Sequence, residues 1–142
     1  MHELFYCSFA VRDMSEADIL DILEVARSFN AENKITGILI YWIETRQFMQ
    51  ILEGDKESIF SLLEKIKKDK RHTGVNLIYD GNIPDRTFAG WSMAFQNFES
   101  IDKTKLEGFS EYLKKGFTVE LINKDPSTAT NLFQIFKQML PS

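Results

Sequence analysis

The first apolar run, Leu4-Phe5-Tyr6-Cys7-Ser8-Phe9, is made of strand-forming residues and divides with period two. Leu4, Tyr6 and Ser8 fall on one face, and Phe5, Cys7 and Phe9 on the other. The period then lengthens. Ser15-Glu16-Ala17-Asp18 has the composition of a helix start, and Ile19, Ile22, Leu23, Ala26 and Phe29 recur at helical spacing. This predicts a helix reaching residue 31, with Asn30 beside its apolar stripe. Residues 35–42 and 47–52 are strand-like runs joined by Ile43-Glu44-Thr45-Arg46, the pattern of an antiparallel hairpin. Asp55 is placed to cap a second helix with a buried stripe of Ile59, Leu62, Leu63 and Ile66. Lys65 and Asp69 flank its last turn, and Lys67, Lys68 and Lys70 read as solvated. Two further strands, 75–79 and 87–95, enclose a turn-rich segment at 80–85, and Trp91 and Met93 share a face of the last. Helical patterns at 103–115 and 127–139 follow, separated by Gly116 and Asp125-Pro126.

Strand, helix, strand, strand, helix, strand, with one strand appended, predicts an α+β fold of the ferredoxin-like sandwich type. We expect a five-stranded mixed sheet, two helices on one face and a C-terminal helical extension. Gln50 is the anomaly in this pattern. It is an amide inside the run Gln47-Phe48-Met49-Gln50-Ile51-Leu52-Glu53-Gly54, on the same face as Phe48 and Leu52. Unpaired in a dry interior, its groups would cost a few kcal/mol. Parallel pairing of the first strand with the third would set Tyr6 beside Gln50, both facing the helices.

A chain of 142 residues with 44% hydrophobic content suits one compact domain. A net charge of −4 argues against a nucleic-acid partner. The N-terminus lacks a basic segment followed by an apolar run, and no stretch approaches the roughly 18 apolar residues of a membrane span. The expectation is a soluble cytoplasmic protein. Cys7, the single cysteine, offers neither an intramolecular disulfide nor a zinc pattern and reads as a small buried hydrophobe. With only His2 and His72, no Ser/His/Asp, Cys/His or HExxH arrangement is present, nor is a Gly-rich phosphate loop. Asp69, Arg71 and His72 read either as a polar helix end or as an anion contact. Tyr6 alone reads as a structural tyrosine whose hydroxyl needs one partner.

Across residues 3–98 the chain resembles the BLUF domains, flavin-holding sensors of blue light. The resemblance rests on an ordered set: Phe5-Tyr6-Cys7-Ser8, Asn30, Ile35-Thr36-Gly37, Phe48-Met49-Gln50-Ile51-Leu52-Glu53-Gly54, Asp69-Lys70-Arg71-His72 and Phe88-Ala89-Gly90-Trp91-Ser92-Met93. It implies a photosensor domain at 1–98 and, at 99–142, a helical extension for signalling or oligomerisation like that of short stand-alone members.

By this resemblance, Tyr6 matches the photoactive tyrosine and Gln50 the glutamine between it and the flavin. Trp91 and Met93 match the strand that relays the signal. Asn30 matches the amide at the polar edge of the ring, while Ile22, Phe48, Leu52 and Ile66 match apolar positions lining it. Asp69, Arg71 and His72 match polar positions toward the ribityl chain and phosphate. Lys65 stands where an arginine is common, replacing a bidentate fork with a flexible point charge. Phe29, Ala26 and Lys34 also depart from the pattern, as does a slightly longer hairpin at 43–46. The implied cofactor is FAD, with FMN as the alternative.

The implied mechanism moves an electron and a proton from Tyr6 to the excited flavin by way of Gln50. It leaves the Gln50 amide rotated or tautomerised, and no substrate is turned over. The implied partners are a downstream protein and further copies of the chain. Two rival readings are a light-independent ferredoxin-like interaction module without flavin and a small acylphosphatase-like enzyme.

Overall fold

The computed structural model describes residues 1–42, 46–90 and 93–97. Seven elements follow in chain order: β1 (His2–Ala10), α1 (Glu16–Glu32), β2 (Thr36–Trp42), β3 (Gln47–Gly54), α2 (Lys56–Lys68), β4 (His72–Asn82) and β5 (Ala94–Asn97). The strands form one sheet in the order β4-β1-β3-β2-β5. The sheet is mixed, as the sequence predicts, but its parallel pair is β2 with β5. The expected parallel pairing of the first and third strands is corrected, because β1 lies antiparallel to β3. The hairpin forces this result. β3 runs opposite to β2, and α1 carries the chain across so that β1 and β2 share a direction with β3 between them. The side-by-side placement of Tyr6 and Gln50 survives, since they are direct partners in the antiparallel register.

Local chemistry sets the element ends. Ser15 accepts from the Asp18 backbone N–H while the Asp18 side chain accepts from that of Ser15, a reciprocal capping box that starts α1. Asp55 occupies the N-cap of α2, yet its side chain makes no capping hydrogen bond. Gly37 is required by close approach: a Cβ there would sit 2.0 Å from the Ile51 carbonyl oxygen on β3. Ile19 and Leu23 of α1 and Ile59 and Leu63 of α2 bury against Leu4, Leu39, Tyr41, Phe48 and Leu52 of the sheet, so both helices cover one face. Burial of each such side chain contributes about 1.5–3 kcal/mol.

Two strand predictions change. β4 is longer than 75–79 because Asp80, Gly81 and Asn82 pair with Leu4, Glu3 and His2. The last strand begins at Ala94 rather than 87. Residues 87 and 88 give their backbone N–H groups to the Glu53 side chain instead of to a ladder, and Gly90 adopts φ +85°. Trp91, the hairpin residues 43–45 and the expected C-terminal helices lie outside the described residues. Among the described residues, no helix is long and apolar enough to cross a membrane.

Candidate functional site

A cavity of ≈ 190 Å³ lies between the two helices and the sheet. α1 contributes Ile22, Val25, Ala26, Phe29 and Asn30, residues three or four apart that recur on one side of the helix. Leu62, Lys65 and Ile66 of α2 face them. The floor is Tyr6 of β1, Leu39 of β2 and Gln50 of β3, with Asp69, Arg71 and His72 around the α2–β4 junction. The walls are therefore mostly apolar, with two buried amides and one charged end, the composition of a small-molecule site.

Tyr6 and Gln50 are buried at 1% and 5% exposure. The Tyr6 hydroxyl donates to Gln50 Oε1, and Gln50 Nε2 donates to Met93 Sδ at 3.3 Å. An amide has two donors and two acceptor positions, so these bonds use one of each and leave the others for a cavity occupant. Burial, with smaller contributions from Cys7 and Asp69, raises the Tyr6 phenol far above its ordinary 10.0. Tyr6 thus keeps its proton throughout the physiological range.

The charged end is already internally paired. Arg71 donates from Nε at 3.0 Å and from Nη2 at 2.6 Å to the two oxygens of Asp69, and its backbone N–H adds a third contact at 2.9 Å. The Arg71 guanidinium holds the Asp69 carboxyl below its usual range. His72 Nδ1 shares a hydrogen bond with Ser8 Oγ at 2.9 Å, and its ring lies 4.9 Å from that of Phe48. Burial lowers the His72 pKa, with the Asp69 charge opposing. Lys65 Nζ sits 4.3 Å from the centroid of the Phe29 ring, a cation–π contact at the wall.

Of the residues singled out in the sequence, Tyr6, Ile22, Asn30, Gln50, Lys65, Ile66, Asp69, Arg71 and His72 meet at the cavity. Phe48 and Leu52 do not line it. Both are 0% exposed, packed in the core beside the cavity. Met93 reaches Gln50 without lining the cavity, and its carbonyl accepts from Arg27 Nε at 3.1 Å. Sequence reasoning missed Leu39, although it stands opposite Gln50 in the hairpin register and the alternation of β2 puts it on the helix side. It also missed Leu62, whose place in the α2 stripe was read as core alone, and the Ser8–His72 contact, which depends on β4 starting at His72.

The cavity suits a flat, largely apolar ring with a polar edge and an anionic tail. Asn30, 1% exposed, and Gln50, 5% exposed, supply the polar edge, and Lys65, Arg71 and His72 line the same cavity. Among the described residues, no cluster of three or more acidic, histidine or cysteine side chains could hold a metal ion. A sequence model of the BLUF family, described as sensors of blue light using FAD, matches residues 1–94. Photoactivated adenylate cyclase subunit beta of Euglena longa is 35% identical over 117 residues, which are 81% of this chain but 13% of that protein. The chain therefore spans only a small part of that curated relative. Among solved structures, the dark state of BlrB, a BLUF protein, superposes with a TM-score of 0.72 at 26% identity, covering 98% of this chain and 96% of that one. BlrP1 of Klebsiella pneumoniae, in a structure with FMN and cyclic diGMP, superposes with a TM-score of 0.68 at 26% identity, over 97% of this chain and 34% of that one. Fold, buried Tyr6–Gln50 pair and sequence match agree: the chain belongs to the BLUF family of flavin-binding blue-light sensors.

Proposed function

We propose that Tyr6, Gln50 and Met93 form the light-driven hydrogen-bond switch of this sensor, with FAD as the cofactor and FMN as an alternative sharing the same ring. The observation that carries this reading is the bond from the Tyr6 hydroxyl to Gln50 Oε1 at the wall of the cavity. When bound, a flavin supplies absorption of blue light and the capacity to accept an electron. Asn30 and Gln50 would orient the polar edge of the ring and Ile22 and Ile66 would pack against it, with Phe48 and Leu52 in the core beside them. Lys65, Arg71 and His72 would hold the ribityl and phosphate portion, with Asp69 fixing the Arg71 fork.

Tyr6 holds its proton at rest, so the phenol loses a proton only together with an electron. With a flavin bound to accept both the electron and a proton, Gln50 would take the Tyr6 proton at Oε1 and release one from Nε2 to the ring. On recombination Tyr6 regains its hydrogen, and Gln50 is left rotated or tautomerised. An amide can reverse its ends in nearly the same shape because one end accepts and the other donates. Met93 Sδ then faces the wrong end of the amide, and this altered contact is what β5 carries onward. Trp91 is a second candidate for that relay. We assign no substrate turnover to residues 1–98 and expect residues 99–142 to deliver the signal to a downstream protein or a second copy. The relatives support an effector beyond the sensor, since they are named as cyclases and this chain matches a small fraction of their length.

An absorption spectrum before and after blue illumination tests the reading. Yellow protein with a reversible red shift is the expected result, and colourless protein that takes up no flavin would favour the light-independent module. Tyr6→Phe and Gln50→Leu should each keep the flavin and lose the normal shift; an unaltered photocycle in both would sink these roles. Oligomer size by light scattering should differ between dark and illuminated protein, as should affinity for a captured partner.

A further inference from the structure

Glu53 shares β3 with Gln50 but faces the opposite side of the sheet. It is 0% exposed, and the light-sensing switch makes no use of it. Its side chain accepts three hydrogen bonds: from the Thr36 hydroxyl at 2.9 Å, the Thr87 N–H at 2.7 Å and the Phe88 N–H at 2.9 Å. Arg86 is tied to the same corner, donating to Thr36 Oγ1 at 2.8 Å, to the Glu53 carbonyl at 3.0 Å and to the Lys34 carbonyl at 2.6 Å. This corner anchors the chain that leads to Met93. Phe88 is fully buried, and Met93 follows five positions later, a reach of at most about 17 Å for an extended chain.

The contacts close a loop. Gln50 donates to Met93, Met93 is tethered through residues 87–88 to Glu53, and Glu53 lies on the same strand as Gln50. The chain that leads to the amide's partner is thus held at residues 87–88 to the amide's own strand, from the opposite face of the sheet. Arg27 on α1 adds the other hold on Met93.

We propose that Glu53 is the positioning residue for Met93. From the back of β3 it sets where residues 86–93 start, and so how closely Met93 Sδ meets the Gln50 amide and how fast that amide returns to its resting partners. The proposal rests on Gln50 being the switch. Glu53→Gln keeps the shape but turns one of the two acceptor atoms into a donor facing a backbone N–H, which loosens the tether without cutting the chain.

The test combines a flavin-free and a flavin-loaded readout. In flavin-free protein with ¹³C-labelled methionine methyls, the Met93 resonance is identified by its loss in Met93→Leu. Glu53→Gln should shift or split that resonance and leave Met14 in place. In flavin-loaded protein, Glu53→Gln should change the dark recovery rate by about threefold or more, the coupling expected within one hydrogen-bond network. In the Met93→Leu background the same substitution should have no further effect. Thr36→Val, which removes one of the three bonds without changing charge, should show the same pattern more weakly and serves if Glu53→Gln does not fold. An unmoved Met93 resonance, or the same fold-change in both backgrounds, would overturn the proposal. Absence of a red shift in the parent protein would instead overturn the switch, and the flavin-free resonance would still report on the tether.

Discussion

The Gln50 amide is bonded at both ends, to a phenol that keeps its proton and to a thioether that accepts only weakly. Its need for partners was readable from one polar residue in an apolar strand, and strand parity supplied Tyr6. The thioether was not readable in the same way, because residues 87–90 follow no strand alternation and their path depends on the Glu53 side chain. Gln50→Glu separates the two ends. A carboxyl group at that position still accepts from Tyr6 but, ionised, has nothing to donate to Met93, so we expect flavin binding with no normal red shift by absorption spectroscopy. Gly37 makes the sharpest single-residue prediction. Ala there places a Cβ 2.0 Å from the Ile51 carbonyl oxygen, and the β2–β3 pairing must move. The expected loss is on the order of 1–3 kcal/mol or more, read as a lower urea midpoint.

The helices differ at their starts in a way that composition did not reveal. Ser15 and Asp18 close a full capping box, whereas Asp55 holds the N-cap of α2 without a side-chain bond. Ser15→Ala should therefore cost about 1 kcal/mol in thermal unfolding. Asp55→Ala should remove only a charge–dipole contribution of about 0.5 kcal/mol. Equal losses at the two sites would contradict the geometry. Helical spacing fixed the buried stripes of both helices, because burial against a single sheet face demands one apolar side per helix. Strand limits were less readable. β4 extends through a Gly- and Asn-containing stretch because β1 offers it a ladder, and β5 shortens because a buried side chain takes the backbone donors of its expected first residues.

For the molecule as a whole, acid sensitivity follows from the charged end of the cavity. Burial holds His72 below its ordinary 6.5, so near pH 6 the folded protein binds fewer protons than the unfolded chain. Stability should fall as the pH drops through 6.5 and stop falling on this account below the folded-state value. Asp69, lowered by Arg71, contributes stability that is full above its ordinary 3.8 and is lost progressively as the pH falls from there through its own folded-state value. Thermal midpoints between pH 7 and pH 5 should decline in the parent protein and less steeply in His72→Gln. Removing the flavin should also lower the midpoint, since a ligand at about 100 times its Kd contributes about 2.7 kcal/mol. The sequence by itself determined the α+β class, the helix stripes and the faces of β1 and β3. These depend on periodicity and on the chemistry of single side chains. Tertiary structure alone decided the antiparallel β1–β3 pairing, the withdrawal of Phe48 and Leu52 from the cavity wall and the contact of Met93 with the Gln50 amide. Those follow from which strand lies between which and from hydrogen bonds among residues 34–53 and 86–88, distances along the chain that local pattern does not encode.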